Sequence, residues 1–323
     1  MMSFRLPKSA GGFLLEGRSR AADATAFALP ELNWMLDCGA IVGNVRPERV
    51  FVTHTHSDHA NRVTHTVSRA RPPTIYVPAA AAGYLEHYID AHQAMTDNRP
   101  VAAVKAAMAA GGDQWQVNRV VEGVCAGECI DIKAKGRRFR VRVVACDHTV
   151  DCVGFAFYEL KEGLKEEYRG LPGKEIGRLR KEGTVITEKR EVRLFAFMGD
   201  TTAKIFTESH SPCGSDNAST HVTAEELLKF PVIITECTFL EESEAKNAAR
   251  TCHSLWRDLE ETVVSHPDTT FVLIHFSLRY KAAYVREFFD SRRKEIAAAG
   301  DQEPLANVLL WLPEDNVSER FIG

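Results

Sequence analysis

His54-Thr55-His56-Ser57-Asp58-His59 places three imidazoles and one carboxylate within six positions. The run before it, Arg49-Val50-Phe51-Val52-Thr53, is β-branched and apolar and reads as a buried strand. On an extended chain residues i and i+2 point the same way, so His54 and His56 can grip one ion. The chain then turns, and Asp58 and His59 can reach a second ion beside it. Histidine with aspartate suits zinc or manganese better than calcium, which prefers oxygen throughout.

The same unit recurs down the chain. Val141 to Ala145 runs towards His148, Leu194 to Met198 into Gly199-Asp200, Val232-Ile233-Ile234 towards Glu236, and Phe271 to Ile274 into His275. Each reads as a buried strand ending in a polar group, and strand ends are where a rigid scaffold presents side chains to a cleft. Helical stretches are expected at 78–95, at 241–266 stopped by Pro267, and at 281–299 closed by Gly300. Alanine clusters at 79–82 and 102–110 also read as helix. The mixed order predicts α/β layers, sheet inside and helices outside. No linker divides the chain, so 1–323 is expected to form a single domain. Residues 160–190 differ: highly charged, glycine-rich and poor in large apolar residues, they read as a protruding arm.

The His54–His59 string resembles the HxHxDH motif of the metallo-β-lactamase superfamily. Asp37-Cys38-Gly39 looks like that superfamily's Asp-x-Gly, and His148, Asp200 and His275 follow in its order. Phe197-Met198-Gly199-Asp200-Thr201-Thr202, Thr235-Glu236-Cys237-Thr238-Phe239, Cys252-His253-Ser254 and Leu273-Ile274-His275-Phe276-Ser277-Leu278-Arg279-Tyr280 narrow the resemblance. They are similar to motifs of ribonuclease Z, the tRNA 3′-processing endonuclease, in its short form. The chain departs from the family where Ala60-Asn61-Arg62 stand after Asp58-His59 in place of glycines. The segment 208–221 looks like an insertion beyond the family's core.

The resemblance implies an αββα sandwich holding two zinc ions per chain. His54, His56 and His148 would hold one, Asp58, His59 and His275 the other, with Asp200 bridging. Asp58 would also accept a proton from metal-activated water, and His253, backed by Glu236 and placed on the helix after it, would protonate the leaving 3′-oxygen. Cleavage would leave a 3′-hydroxyl on the tRNA and a 5′-phosphate on the trailer. Arg279 would clamp a phosphate. The arm, with Lys165, Arg169 and Lys174, would grip precursor tRNA, and the family's homodimer would let one subunit's arm serve the other's site.

Composition is that of an ordinary globular protein, with 45% hydrophobic and 26% charged residues. A net charge of −4 excludes bulk attraction to nucleic acid and leaves local patches. Two are basic: 133–142, with six basic residues and no acid, and 161–190, with nine basic and six acidic. Arg138, Arg140 and Arg142 alternate and so share one strand face, expected to meet phosphate or solvent. Eight scattered cysteines are too few for a disulfide framework and suggest reduced thiols. No long uncharged apolar run predicts a membrane span, and the N-terminus lacks the order of a secretion signal. These features fit cytoplasm or nucleus and leave an organelle open. Two rivals remain at this stage: a metal-dependent phosphodiesterase of small or cyclic nucleotides, and an inert RNA-binding homologue.

Overall fold

The computed structural model describes residues 1–67, 71–110, 120–208, 221–298 and 303–312. They form two seven-stranded sheets. The first runs in order β1 (Met2–Arg5), β2 (Leu14–Arg20), β3 (Ala24–Leu29), β4 (Trp34–Leu36), β5 (Arg49–Phe51), β6 (Thr74–Pro78) and β7 (Val120–Val124). The second contains β8 (Cys129–Ala134), β9 (Arg137–Cys146), β10 (Cys152–Leu164), β11 (Thr187–Phe197), β12 (Val232–Glu236), β13 (Thr270–Ile274) and β14 (Val308–Leu310), again side by side in chain order. Both sheets begin with antiparallel pairs. From β4 in one and β11 in the other, neighbours run parallel.

The central parallel strands are apolar throughout because both faces are buried, whereas the edge strands β1 and β8 alternate exposed residues with half-buried or buried ones. In β13, Val272 and Ile274 face the opposite sheet while Phe271 and Leu273 face the helices; Phe51 and Val50 of β5 divide in the same way. Aromatic rings lock the sheets together: Trp34 meets Phe139 edge-on at 5.0 Å, Phe51 meets Phe157 at 5.1 Å, and Phe27 meets Trp311 at 5.0 Å. Such pairs add about 0.5–1.5 kcal/mol each beyond the burial of their area. Outside the first sheet lie α1 (Ser57–Ala60), α2 (Thr64–Val67) and α3 (Ala79–Thr96), the last anchored by Leu85 and Ile89. α4 (Val101–Ala109) follows. Outside the second sheet lie α6 (Ala224–Leu227), α8 (Trp256–Ser265) and α9 (Ala282–Ala298), which bury Leu227, Trp256, Leu259, Val263 and Phe289. The architecture is the expected αββα sandwich.

The stretch 241–266 is not one helix. α7 (Ala245–Thr251) ends at Cys252, whose backbone is left-handed (φ 51°), and α8 starts four residues later. Phe239 forms a β-bridge to Leu255 and accepts the Trp256 N–H, which holds the break open. His253 therefore sits in a turn between two helices, not on a helix. Two of the three alternating arginines are ion-paired. Arg140 pairs with Asp131 and Glu191, Arg142 with Glu191 and Glu226, and Arg137 with Glu159. Cross-strand acids thus pair Arg137, Arg140 and Arg142, while Lys133, Lys135 and Arg138 are exposed to solvent. Residues 209–220 of the expected insertion, and Gly300, lie outside the described residues.

The segment 160–190 is the far part of the β10–β11 hairpin with α5 (Gly173–Lys181) at its tip. No helix among the described residues is long and apolar enough to cross a membrane.

Candidate metal centre

Six strand ends meet at one rim of the sandwich. β4 leads into Asp37, β5 into His54, β9 towards His148, β11 into Asp200, β12 ends at Glu236, and β13 leads into His275. α1 adds Asp58 and His59. Parallel pairing places these ends side by side, so residues far apart in sequence converge.

His54 Nε2 lies 3.1 Å from His56 Nδ1, which lies 3.1 Å from His148 Nε2. His59 Nε2 is 3.2 Å from His275 Nε2, and the Asp58 carboxylate is 3.3 Å from the latter. Asp200 lies between the two groups, 3.7 Å from His54 Nε2 and 3.4 Å from both His59 Nε2 and His275 Nε2. The ligand atoms of His54, His56, His148 and Asp200 lie within 4.8 Å of one another, as do those of Asp58, His59 and His275.

Two features fit cations. Asp200 Oδ1 is buried and makes no hydrogen bond of good geometry; among the described residues only His59 Nε2, 3.4 Å away, faces it, which leaves room for a cation. The imidazoles also present nitrogen to nitrogen. Burial holds His54 well below the ordinary histidine range and lowers His56 and His148, so these three rings are neutral and offer lone pairs. His148 donates from Nδ1 to the Cys252 carbonyl at 3.2 Å, leaving Nε2 as an acceptor aimed into the cluster.

An outer ring of groups fixes the inner one. Asp37 holds His59 Nδ1 at 2.7 Å and accepts the Thr53 N–H at 2.7 Å. Burial depresses the His59 imidazole, but Asp200 and Asp37 outweigh it and raise it well above its usual value. The Ala22 N–H donates to Asp58 at 2.8 Å. Burial opposes ionisation of Asp58, yet its hydrogen bond to His275 and the charge of His59 bring it down to about 2. Thr238 Oγ1 lies 3.0 Å from His275 Nδ1. Ala22, Asp37, Cys252 and His275 all have left-handed backbones (φ 51–61°), a conformation uncommon for residues other than glycine. Strain of this kind persists where the surroundings over-determine it.

Glu236 is fully buried. It accepts from Thr201 N–H at 2.8 Å and Ser254 N–H at 3.1 Å, and holds His253 Nδ1 at 2.8 Å. Burial works against the charged imidazole, but Glu236 prevails and His253 is pushed up to about 9. His253 lies 4.0 Å from Asp200, and its ring is tilted against that of His148 with centroids 5.0 Å apart, at the edge of the cluster.

Ala60-Asn61-Arg62 do not prevent close backbone packing after His59. The glycine stands on the other side: a Cβ on Gly39 would lie 1.7 Å from the Asp58 carbonyl oxygen, and Cys38 donates to the His59 carbonyl. Arg279 pairs with Glu244 and lies over the Phe239 ring at 5.2 Å. Arg169 pairs with Glu166 at 2.7 Å, Lys174 is exposed and Lys165 half-buried; all three belong to the arm, not to this rim. Sequence reasoning noted Asp37 without giving it a partner, placed Thr201 in a motif without a contact, and did not single out Thr53 or the Cys252 carbonyl. Thr238 stood inside a quoted motif but had no role.

No protein-family model matches the chain. A chloroplastic tRNase Z of Arabidopsis thaliana is 25% identical over 293 residues, covering 88% of this chain and 73% of that protein. The short form of human tRNase Z superposes with a TM-score of 0.46 at 16% identity, over 82% of this chain and 92% of that one. A nuclear ribonuclease Z of Triticum aestivum is 31% identical over 182 residues, which span 54% of this chain and 92% of the relative. With that match across almost the whole of the wheat protein, the chain belongs to the ribonuclease Z family.

Proposed function

We propose that this chain is a dinuclear zinc endoribonuclease that removes the 3′ trailer from precursor tRNA. The observation that carries the reading is His253, held by Glu236 at the edge of the His/Asp cluster. A generic metallohydrolase needs the cluster alone; a backed imidazole beside it serves a poor leaving group such as a ribose 3′-oxygen.

In this reading His54, His56 and His148 would hold one ion and Asp58, His59 and His275 the other, with Asp200 available to both. What the ions supply when bound is Lewis acidity, which lowers the pKa of a water towards about 7. Asp58, anchored by the Ala22 N–H, orients the attacking water and accepts its proton. Glu236 fixes the His253 tautomer and its charge, leaving Nε2 to donate to the departing oxygen. The tRNA keeps a 3′-hydroxyl and the trailer a 5′-phosphate.

The arm residues Lys165, Arg169 and Lys174 grip tRNA phosphates by shape and charge. The β10–β11 ladder supports a homodimer. The site lies beyond Phe155 and Phe197, and the arm beyond Leu164 and Thr187, at the other end of the ladder. At about 3.3 Å per residue that separation is roughly 30 Å. An arm pointing away from its own site is suited to serve a partner's. Arg279 reaches a phosphate only on leaving Glu244.

His253→Ala tests the reading. Trailer cleavage should fall by roughly 10²–10⁴-fold. Hydrolysis of a nitrophenyl phosphodiester, whose leaving group needs little protonation, should fall far less. Zinc should stay at two per chain. Loss of zinc would make His253 a ligand, in keeping with its proximity to Asp200 and His275. Equal slowing on both substrates would remove it from the leaving-group role.

A further inference from the structure

The turn 147–151, which carries His148, is closed by two cysteines. Cys146 ends β9, Cys152 starts β10, and the antiparallel register sets them directly opposite each other. Opposed residues in such a ladder have Cα atoms about 4.5 or 5.5 Å apart. Both values lie inside the window of roughly 4.4–6.8 Å that a disulfide spans. Both residues are free thiols. Each also holds the end of β11: Cys152 Sγ donates to the Asp200 carbonyl at 3.2 Å, and Cys146 Sγ to the Met198 carbonyl at 3.7 Å. Cys146 is half-buried, and Cys152 is 7% exposed.

We propose that Cys146 and Cys152 form a two-electron redox site that takes hydrogen peroxide and closes to a disulfide across the neck of the His148 turn. The more accessible sulfur, that of Cys146, attacks a peroxide oxygen. The O–O bond breaks, one water leaves, and Cys146 becomes a sulfenic acid. The Cys152 sulfur then displaces the remaining oxygen as a second water. Two thiols lose two protons and two electrons, and hydrogen peroxide is reduced to two waters. The disulfide has no S–H, so the Met198 and Asp200 carbonyls lose both donors, and β9 and β10 are pinned where the His148 turn begins. Groups outside a metal's ligands that are disturbed in this way typically cost 10–100-fold. The effect on cleavage rests on the proposed roles of His148 and Asp200; closure of the disulfide does not.

The test uses the zinc-loaded full chain. Trypsin leaves both cysteines in one peptide, 143–161, so closure reads as a loss of two hydrogens without a cross-linked pair. After mild hydrogen peroxide the peptide should show that loss, and precursor tRNA cleavage should fall about tenfold or more. Dithiothreitol should reverse both. Cys146→Ser should cleave tRNA and resist peroxide, because a serine hydroxyl can still donate to Met198. A peptide that keeps both thiols alkylatable, or that gains oxygen on Cys146 without closing, overturns the site. Closure with unchanged cleavage overturns its effect on the reaction. Closure in a protein that cleaves no precursor tRNA even when reduced leaves the redox site standing and removes the proposed function.

Discussion

The β10–β11 hairpin has two ends of opposite character. At one end, Asp200 and its neighbours are buried, and almost every polar atom is held by a second group: His59 by Asp37, His148 by the Cys252 carbonyl, His253 by Glu236. At the other end, Arg169, Arg178 and Lys174 are exposed, and the ion pairs made by Arg169 and Arg178 lie at the surface, where solvent screens them. The buried end is suited to chemistry, where a displacement of about 1 Å can cost 10²-fold. The exposed end is suited to a large polyanion that is recognised by its backbone, where no single contact is decisive. One hairpin thus joins a precise region to a tolerant one.

The largest test of that contrast is Asp58→Ala. If Asp58 meets a cation and accepts a proton as proposed, its removal should lower trailer cleavage by roughly 10³-fold or more. The fold should persist, because the side chain lies at the rim and its loss frees one backbone donor, that of Ala22, at a cost of about 1–3 kcal/mol. Cleavage assays with circular dichroism of the same preparation decide the matter. Near-normal cleavage would mean that the precise end is not where the reaction occurs. Deleting about 165–185 probes the tolerant end. It should raise the KM for precursor tRNA by roughly tenfold or more, as the loss of about 1.4 kcal/mol or more of binding would. Hydrolysis of a small phosphodiester should be unchanged. Equal loss on both substrates would make the hairpin tip structural.

The sequence disclosed the precise end far better than its supports. HxHxDH is local, so spacing reveals it, and the remaining candidate ligands each follow an apolar strand. Asp37 meets His59 only because β4 and β5 run parallel, which periodicity does not state. The break at Cys252 depends on its left-handed backbone and the bridge from Phe239, neither of which leaves a glycine or proline in the sequence. The basic run 133–142 is in part ion-paired, which the sequence hides for a related reason. Its partners Glu159, Glu191 and Glu226 lie on other elements, so local charge counting sees a patch where the fold makes ion pairs. Cys146 and Cys152 likewise lack a recognisable spacing and become a pair only through strand register.

The smallest expected effect separates geometry from charge within the precise end. Glu236→Gln keeps the shape of the side chain and one oxygen to accept hydrogen bonds, but removes the charge that lifts His253. With Glu236 present, the imidazole is pushed up to about 9 against the effect of burial. A proton donor works below its pKa, so cleavage should hold through neutral pH and decline on the alkaline side as His253 loses its proton. Without the carboxylate burial prevails, the imidazole falls, and the alkaline decline should begin roughly 1–3 pH units lower. At pH 6 the variant should therefore approach the parent, whereas at pH 8 it should fall behind by about tenfold or more. A pH–rate profile of parent and variant on precursor tRNA, with zinc content measured at each end, reads this directly. A uniform loss at every pH would assign Glu236 to orientation of the Thr201–Ser254 backbone alone. A shifted alkaline limb assigns it to the charge on His253.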